Sequence, residues 1–372
     1  MNVLTPKVLK QYKGKVCLLR ADLDVPDRER KNSLRLKAVM ETVRLLLSNG
    51  VRVVLAGHLG RPQFSGDKKY SFRSMAKFLS QELMEPVRFF PEHDFKNIKK
   101  EVRNVPARLF LIENLRYLSG EENNDKEFAK ELASVADFYV NESFGVSHRA
   151  HASLVGVPKY LKSFTGPRLA KEVAELGKII KRRTRPFVVI IGGAKISDKL
   201  GVIKNFWGRA DKFLLGGGPA NTMLAAEGVP MGDSLVDYKS LDEIKKYAFS
   251  PEIVLPIDAE MHGTKILDIG PETIKEYVKI IRGAKTIIWS GPMGMFEKKG
   301  FEKGTRAVWK AILANHGAKI VVGGGDTVAS TKLISSLKSQ ISNSKNTFIS
   351  TGGGAMLGYL SGKKLPGVEV LK

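Results

Sequence analysis

Five short apolar runs in the second half of the chain end in glycine-rich turns. They read VVIIGGAK (188–195), FLLGGGPA (213–220), IIWSGPMG (287–294), IVVGGGDT (320–327) and FISTGGGA (348–355). If each run is a strand followed by a helix, the turns lie where open parallel sheets bind ligands. Glycine lets the backbone approach a ligand closely, and a helix N-terminus offers free N–H groups to an anion. A single turn of this kind is typical of plain chain reversal, whereas the repetition indicates an extended phosphate-bearing ligand.

Two lysines and one aspartate near these turns could handle phosphate charge. Lys195 and Lys199 lie four residues apart, so a helix that starts at Gly193 would place both on one face. Phosphate contact is the favoured interpretation, and a solvated basic helix end is the alternative. Asp326 follows three glycines, where one carboxylate could hold Mg²⁺, cap the next helix, or do both.

Two common nucleotide-binding motifs are missing from these turns. No GxxxxGK[ST] motif occurs, and no GxGxxG follows a predicted strand. The sequence therefore argues against a P-loop ATPase and against an ordinary dinucleotide dehydrogenase.

The first half carries a different set of groups at the ends of its apolar runs. They are mostly cationic or imidazole side chains: Arg20, Asp22, His58, Arg61, Arg116, His148, Arg149 and His151, with Arg35 at the start of a helix. Guanidinium groups pair well with carboxylates and phosphates. Each one alone is typical of a protein surface, but together they indicate a site for a small anionic metabolite. Metal binding by His148 and His151 is the weaker interpretation, because no carboxylate partner is apparent.

The two halves thus predict two sites, one for a nucleotide and one for a small anion. Phosphoryl transfer between such ligands needs positioning and charge neutralisation more than covalent chemistry. A kinase that closes two domains around both ligands is the function this arrangement predicts.

Apolar runs alternate with amphipathic stretches from end to end, which predicts βα units and parallel sheets. The pattern from Leu36 to Leu47 predicts a helix that stops at Gly50. Another apolar stripe between Pro167 and Arg183 predicts a helix joining two domains. We predict ten strands: Val16–Leu19, Val51–Ala56, Leu109–Ile112, Phe138–Val140, Phe187–Ile191, Lys212–Leu215, Ile253–Leu255, Thr286–Trp289, Lys319–Val322 and Thr347–Ile349.

The expected fold is therefore α/β, with two doubly wound parallel-sheet (Rossmann-like) domains joined by a hinge helix. A length of 372 residues also predicts two domains. With 43% hydrophobic and 27% charged residues, the chain has the composition of a globular protein. The single Cys17 excludes a disulfide framework, and we expect it to be a buried apolar residue.

A formal net charge of +23 favours anionic partners. A nucleic-acid-binding protein would need a basic groove with interleaved aromatic residues, and the sequence shows none. We expect nucleic-acid binding to be weak and non-specific at most, and a basic solvated surface explains most of the charge. No apolar run reaches the length of a membrane span, and the N-terminus lacks a signal-like apolar region, so the expected compartment is the cytoplasm.

The motifs resemble those of the phosphoglycerate kinase family over nearly the whole chain. The most specific segments are RADLDVP (20–26), HLGRP (58–62), IENLRYLSGEE (112–122), FGVSHRAHAS (144–153), GGAKISDKLGVI (192–203), WSGPMGMFE (289–297), GGGDT (323–327) and STGGGA (350–355). The resemblance implies Mg²⁺-dependent, reversible transfer from 1,3-bisphosphoglycerate to ADP, which yields 3-phosphoglycerate and ATP. It also implies a monomer.

The resemblance implies roles for particular residues. The glycerate ligand would contact Asp22, Leu23, Asp24, Arg35, His58, Leu59, Gly60, Arg61, Arg116 and Arg149. The nucleotide would contact Gly193, Ala194, Lys195, Lys199, Gly216, Gly217, Ser290, Pro292, Glu297, Gly324, Gly325, Asp326 and Thr327, with Asp326 on the metal. The implied catalytic set is Arg35, Lys195, Lys199, Gly325 and Gly353. The implied domains are 1–166 for the glycerate ligand, 167–183 for the joining helix and 184–361 for the nucleotide, with the tail 362–372 on the first domain.

Two site positions depart from the family pattern. Asp24 and Ser290 stand where the family usually has Asn. A carboxylate at position 24 would repel the carboxylate of the substrate, so we expect weaker substrate affinity. An inactive, ligand-binding member of the family is the alternative. The retained cations at positions 35, 61, 116, 149, 195 and 199 argue against it.

Overall fold

The computed structural model describes residues 1–181, 183–337, 344 and 346–372, with the side chains of residues 335–337 left out. The chain divides into two compact units. The first contains Met1–Val173 and Lys364–Lys372, and the second contains Ala174–Lys363. The predicted joining helix lies at this division, and residue 182, within its predicted range, is outside the described residues.

The first unit is built on a six-stranded, wholly parallel sheet in the order β3-β4-β2-β1-β5-β6. Its strands are β1 Val16–Arg20, β2 Arg52–Ala56, β3 Val87–Phe90, β4 Leu109–Ile112, β5 Phe138–Asn141 and β6 Ser163–Thr165. Its helices are α1 Pro6–Leu9, α2 Leu34–Ser48, α3 Arg73–Leu83, α4 Phe95–Asn104, α5 Ser119–Glu122, α6 Lys126–Ala133 and α7 Pro167–Lys181, which crosses the division. Short 3-10 turns cover Lys10–Tyr12, Asp27–Asn32, Lys68–Tyr70, Leu115–Tyr117, Phe144–Val146 and Val157–Lys159, and a π turn covers Ala152–Gly156.

Helix α2 shows how the sequence specifies these elements. Ser33 caps its N-terminus by accepting a hydrogen bond from the main-chain N–H of Leu36 (3.3 Å). Gly50 lies just beyond its end with φ +74°, a conformation that glycine adopts without strain. The predicted apolar stripe is buried against the sheet: Leu36, Val39, Met40, Val43, Leu46 and Leu47.

Strand β1 sits between two layers of core because its side chains alternate between the sheet faces. Cys17 and Leu19 pack into the core that α2 and α3 cover. Val16 and Leu18 pack into the core that includes α4 and α6 residues. Cys17 is fully buried, which confirms its expected role as an apolar core residue.

The second unit repeats the design with a parallel sheet in the order β14-β13-β12-β7-β8-β9 and a separate antiparallel hairpin, β10-β11. The strands are β7 Phe187–Ile191, β8 Lys212–Leu215, β9 Ile253–Val254, β10 Ala259–His262, β11 Lys265–Ile269, β12 Thr286–Ser290, β13 Lys319–Gly323 and β14 Thr347–Ile349. The helices are α8 Leu200–Phe206, α9 Gly217–Ala226, α10 Leu241–Ile244, α11 Pro271–Gly283, α12 Lys303–Ala314, α13 Gly325–Ala329 and α14 Gly354–Leu360. Short 3-10 turns cover Tyr238–Ser240, Lys245–Tyr247 and Ser330–Leu337.

A tail segment returns to the first unit after the second is complete. Its helix α15 covers Pro366–Glu369, and Val368 and Leu371 are buried. Gly367 donates its N–H to the Ser147 carbonyl (2.9 Å), and its own carbonyl accepts from the Asn141 side chain (3.0 Å). The tail is therefore hydrogen-bonded to the segment that follows β5.

All ten predicted strands are confirmed, and the expected fold of two parallel-sheet α/β units is correct. The strands that the sequence did not reveal are β3 and β6, which lie at the edges of the first sheet, and the hairpin β10-β11. Strand β6 has only three residues, and three of the four residues of β3 are exposed or half-exposed, so neither has the continuous apolar run of a strand covered on both faces. Among the described residues, no helix has the length and apolar character that a membrane span requires.

A buried carboxylate fixes the start of α7. Glu142, directly after β5, accepts hydrogen bonds from the N–H groups of Arg168 (3.0 Å) and Leu169 (3.1 Å) and from the Thr42 hydroxyl. A β-carbon at Gly166 would lie 2.0 Å from its Oε2, so only glycine leaves room for this contact. The carboxylate satisfies N–H groups that the first helical turn leaves free and interacts favourably with the helix dipole.

We predict that Glu142→Gln lowers the free energy of unfolding of the first unit by roughly 1–3 kcal/mol. An amide has one acceptor oxygen, so its NH₂ group would face at least one of the three donors. Urea denaturation is the measurement, and Glu41→Gln, at an exposed position of α2, is the matched control. An unchanged denaturation midpoint in Glu142→Gln would contradict this role.

Candidate active site

Parallel pairing brings three strand ends of the first unit together. Arg20, the last residue of β1, is paired with Ala56 of β2 and with Asn141 of β5. The segments that follow these strands therefore begin at the same sheet edge. They carry the aspartates after β1, the HLGRP turn after β2 and the FGVSHRAH segment after β5.

The turn after β1 is organised by two carboxylates. Asp24 accepts a hydrogen bond from the Gly60 N–H at its Oδ1 (2.8 Å), and its carbonyl accepts from Arg35 Nη1 (3.4 Å). Arg35 Nε lies 3.8 Å from Asp22 Oδ2. Burial raises the pKa of Asp22, while Arg35 opposes that shift. Asp22, Asp24, Arg35 and Gly60 thus lie in one connected cluster.

His58 is buried beside the same cluster. Its Nδ1 lies 3.2 Å from Arg20 Nη2, and its Nε2 lies 3.7 Å from Asp24 Oδ2. Burial, followed by the charges of Arg20, Arg116 and Arg149, holds the pKa of His58 well below its usual value. The imidazole is therefore neutral at physiological pH and can act as a hydrogen-bond donor.

Arg116 has spare donors at this edge. Its Nη1 donates to the Gly60 carbonyl, and its Nε lies 3.2 Å from Glu122 Oε1 without hydrogen-bond geometry. Nε and Nη2 are buried and have no hydrogen-bond partner in the described structure. A buried donor without a partner is costly, so an incoming anion would be stabilised here.

The remaining substrate candidates differ in what they can contribute. Leu23 and Leu59 are buried, so only their main chains can face a ligand, and the Leu59 N–H already donates to Asn114 Oδ1 (3.3 Å). Arg61 is exposed. Arg149 is half-buried, with its Nε 3.4 Å from His148 Nε2. Solvent therefore reaches both of these arginines, whereas the side chain of Arg116 is only 5% exposed.

The sequence suggested that Arg20 is one of the cations available to a ligand at the strand ends, but the structure does not place it there. It is fully buried and donates to the Ser153 hydroxyl (2.7 Å), the Ala21 carbonyl (2.7 Å) and the Ser143 hydroxyl (3.3 Å). That expectation was wrong because a cation at a strand end can point into the core when buried acceptors surround it.

In the second unit, main-chain hydrogen bonds join the glycine turns that follow β7, β8 and β12 at the edge of the sheet. Gly192 donates to the Ser290 carbonyl (3.0 Å), Gly193 donates to the Pro292 carbonyl (2.7 Å), and Gly218 donates to the Gly193 carbonyl (2.8 Å). A β-carbon on Gly192 would lie 2.0 Å from the Pro292 oxygen, and one on Gly218 would lie 1.9 Å from the Ala194 oxygen. These glycines are required so that the ends of β7, β8 and β12 can meet.

The turns lie at the point where the strand order reverses, between β7 and β12. Open α/β sheets bind ligands at this point because successive connections leave to opposite sides. The candidates Gly193, Ala194, Gly216 and Pro292 lie in the turns after β7, β8 and β12, while Ser290 is the last residue of β12 and Gly217 the first residue of α9. Glu297, further along the β12 connection, is exposed.

The two lysines do not share a helical face, because α8 begins only at Leu200. The prediction of a helix starting at Gly193 was wrong: residues 194–199 form a turn in which Lys199 N–H bonds to the Ile196 carbonyl (2.8 Å). The Lys199 side chain is buried and bends back, so that Nζ donates to the Lys195 carbonyl (3.3 Å). A β-carbon on Gly193 would lie 3.6 Å from this Nζ.

Lys199 therefore places its ammonium over the glycine turn. Burial lowers its pKa, while the charges of Asp198 and Asp326 oppose the shift. A partly desolvated ammonium lacks part of its hydration shell, so a phosphate oxygen gains more from binding it than from binding an exposed lysine.

The turn after β13 carries the remaining candidates. Gly324 has φ +101°, and the buried Thr327 accepts a hydrogen bond from the Gly291 N–H at its Oγ1 (2.7 Å). Gly325 and Asp326 are exposed at the start of α13. Gly353, with φ +50°, precedes α14 after the next strand. Thr327 thus ties this turn to the β12 connection.

Asp326 could hold a Mg²⁺ ion. Among the described residues, no group of three or more potential metal-ligating side chains occurs. That result is compatible with Mg²⁺ in a kinase, because this ion usually takes one or two protein carboxylates and completes its shell with substrate phosphates and water.

Residues that act on other side chains were missed by the sequence analysis. Glu113 accepts from the N–H groups of Phe72 and Asn114 (2.7 and 2.8 Å). Asn114 in turn donates to the Leu59 carbonyl (2.8 Å) and fixes the HLGRP turn. Glu121 and Ser153 hold Arg20. The sequence does not reveal these roles, because each depends on a partner distant in the chain, such as Phe72 for Glu113 or Arg20 for Ser153.

The fold and these two sheet edges define a two-unit α/β phosphotransferase. The family model described as phosphoglycerate kinase matches residues 8–363. The phosphoglycerate kinase of Herpetosiphon aurantiacus is 41% identical, and the match covers 97% of this chain and 97% of that protein. The phosphoglycerate kinase of Dictyoglomus turgidum is also 41% identical, and the match covers 98% of this chain and 97% of that protein.

Solved structures agree with the sequence comparisons. The phosphoglycerate kinase of Coxiella burnetii is 32% identical with a TM-score of 0.80, and that of Pyrococcus horikoshii is 29% identical with a TM-score of 0.84. Each similarity covers 97% of this chain and 96% of the other. The chain belongs to the phosphoglycerate kinase family.

A buried carboxylate supports the loop that carries Pro292 and Glu297. Asp268 accepts from the N–H groups of Ile269 (2.9 Å) and Gly304 (2.8 Å), the latter at the start of α12. A β-carbon on Gly294 would lie 2.3 Å from Asp268 Oδ1, so the loop passes directly over the carboxyl group. Burial raises the pKa of Asp268 to about 7, and the charges of Glu260 and Glu302 add to the shift.

We predict a pH-dependent stability difference between the wild type and Asp268→Asn. The folded-state pKa lies above the unfolded value, so the folded wild type binds more protons between these values and loses stability as the pH rises. Relative to the variant, the free energy of unfolding should fall by about 3 kcal/mol from pH 5 to pH 8. Urea denaturation across this range tests the prediction, with Asp242→Asn at an exposed position as control. Parallel pH profiles would contradict it.

Proposed function

We propose that this chain is a phosphoglycerate kinase that interconverts 1,3-bisphosphoglycerate and ADP with 3-phosphoglycerate and ATP in glycolysis and gluconeogenesis. Family membership supports the reaction. The structural observation that carries the proposal is Arg116, which keeps two buried nitrogen atoms without hydrogen-bond partners at an edge rich in cations. A doubly anionic glycerate ligand has the oxygen acceptors that these nitrogens lack.

The first unit binds the glycerate ligand in this proposal. Arg61, Arg116 and Arg149 neutralise its distal phosphate, because guanidinium groups pair with phosphate oxygens in a bidentate manner. His58 donates to an anionic oxygen of the ligand, and the segment Asp22–Asp24 with the Leu59–Gly60 main chain shapes the rest of the pocket. Arg35, next to Asp22, reaches toward the reacting carboxyl end.

The second unit binds the nucleotide. The turns containing Gly193–Ala194, Gly216–Gly217 and Ser290–Pro292 receive the base and ribose, with Glu297 at the ribose hydroxyl groups. The turn Gly324–Thr327 and the lysines Lys195 and Lys199 receive the phosphates. Asp326 would hold Mg²⁺, which screens the phosphate charge when it is bound.

In the direction of ATP synthesis, a terminal β-phosphate oxygen of ADP attacks the acyl phosphate. The P–O bond to that oxygen forms while the P–O bond to the acyl carboxyl oxygen breaks. The attacking oxygen is anionic before transfer and becomes a bridging oxygen of ATP, while the bridging acyl oxygen departs as a carboxylate. No proton moves, so no general base is required. Arg35, Lys199 and the N–H groups at Gly325 and Gly353 stabilise the charge on the transferred phosphoryl group.

The ligand of one unit must contact the ligand of the other during transfer. We therefore propose that closure about α7 accompanies each turnover and keeps water from the acyl phosphate, which hydrolyses readily. A monomer in the cytoplasm completes the proposal, since each chain carries a full set of candidate residues for both ligands.

We predict that Arg35→Ala and Lys199→Ala each lower kcat by roughly 10²–10⁴, because each removes a cation from the transition state. The assay couples 3-phosphoglycerate, ATP and Mg²⁺ to NADH oxidation through glyceraldehyde-3-phosphate dehydrogenase. Lys37→Ala on α2 and Lys204→Ala on α8, which lies in an ion pair with Glu243, are matched controls and should retain activity. Near-normal turnover in Arg35→Ala or Lys199→Ala would refute the assigned role.

We also predict that Asp24→Asn lowers the KM for 3-phosphoglycerate by roughly three- to tenfold, about 1 kcal/mol. The substitution removes a negative charge from the substrate site, while the amide oxygen can still accept from the Gly60 N–H. Steady-state kinetics at fixed ATP provides the measurement. A KM that stays the same or rises would show that the cations near Asp24 already compensate its charge.

A further inference from the structure

Glu121 is a fully buried carboxylate that no step of the proposed reaction uses. Its Oε1 accepts from the Ser153 hydroxyl (2.6 Å), and its Oε2 accepts from the Ser153 N–H (2.9 Å). Oε1 also lies 3.8 Å from Arg20 Nη2. Because both side chains are excluded from solvent, Glu121 is the counterion that makes the burial of Arg20 tolerable.

Most donor groups of the Arg20 guanidinium have hydrogen-bond partners within the protein. Nε donates to the Ser153 hydroxyl, and Nη1 donates to the Ala21 carbonyl and the Ser143 hydroxyl. Nη2 is left facing His58 Nδ1 at 3.2 Å. The guanidinium plane is rigid, so these contacts determine where the Nη2 donor points.

This contact determines the tautomer of His58. A guanidinium group has donors and no acceptor, so Nδ1 of His58 must be the acceptor. A neutral imidazole carries one proton, which must then reside on Nε2. Nε2 lies 3.7 Å from Asp24 Oδ2, on the side of the ring where Gly60 also contacts Asp24.

We propose that Glu121 and Arg20 are positioning residues that hold His58 as the Nε2–H tautomer, so that it donates a hydrogen bond to an anionic oxygen of the bound ligand. The opposite tautomer would direct a lone pair at that oxygen and repel it. The identity of the ligand rests on the proposed function, whereas the tautomer follows from the contacts of Arg20 alone.

The charges that face His58 favour the same state. Burial, followed by the charges of Arg20, Arg116, Arg149 and His151, lowers the pKa of the ring, and the Asp24 carboxylate lies on the Nε2 side. His58 is therefore a neutral side chain surrounded by cations, and it can donate a hydrogen bond from Nε2. A doubly protonated ring would add a charge that the buried site cannot hydrate.

The tautomer can be measured by ¹⁵N–¹H correlation spectra of the imidazoles in the ligand-free wild type, because the two ring nitrogens differ strongly in shift when one is protonated. His58→Gln assigns the signals, and the exposed His262 and His316 provide internal references. We expect one His58 species, protonated at Nε2, throughout pH 5.5 to 8. A ring protonated at Nδ1, a mixture, or a charged ring at pH 6 would overturn the proposal.

Two variants test the positioning residues. Arg20→Lys keeps the charge, but one ammonium cannot contact Ser153, Ala21 and His58 together. Glu121→Gln keeps the shape and removes the counterion. In each we expect a mixture of His58 tautomers and a KM for 3-phosphoglycerate raised about tenfold, with kcat changed less than threefold. Glu127→Gln, at an exposed position of α6, is the control.

The outcomes separate this inference from the proposed function. A wild type that holds the Nε2–H tautomer but has no kinase activity would refute the function and leave the tautomer assignment intact. An active wild type whose variants keep both the tautomer and the KM would refute the positioning role. If a variant does not fold, as judged by near-ultraviolet circular dichroism, the wild-type spectrum still decides the tautomer.

Discussion

The parallel register of a few central strands is the constraint on which both sites depend. In the first unit, β1, β2 and β5 end together, and in the second unit β7, β12 and β13 end together. Each of these strands is hydrogen-bonded on both sides, so its last residue has little freedom to shift. The position of a side chain or an N–H group one or two residues beyond such an end is therefore also well fixed.

The candidate sites of the two units offer different groups to an anion. The first offers side chains, with arginines and a neutral histidine arranged around two aspartates. The second offers mainly main chain, with hydrogen-bonded glycine turns that leave room for one buried lysine. Side chains can discriminate between small anions by geometry. Main-chain N–H groups at helix starts bind phosphates regardless of what else the ligand carries.

Buried strands and glycine turns were predictable from the sequence because their causes are local. A strand covered on both faces must be continuously apolar, and a turn through which another backbone passes must be glycine. The role of Arg20 was not predictable, since its partners Glu121 and Ser153 lie more than 100 residues away. The position of Lys199 also depends on context, because residues 194–199 form a turn where the spacing of the lysines suggested a helix. The edge strands of the first sheet and the hairpin escaped detection because these short, partly exposed elements carry a weaker apolar pattern.

The return of the tail to the first unit has a consequence for biosynthesis. Residues 364–372 are translated after the whole second unit, yet Val368 and Leu371 belong to the core of the first. During vectorial synthesis, the first unit therefore emerges early but lacks part of its core until translation has passed residue 371. The second unit, made of one continuous stretch, has all its residues before that moment. The last nine residues to be synthesised thus complete the core of the unit whose synthesis began first.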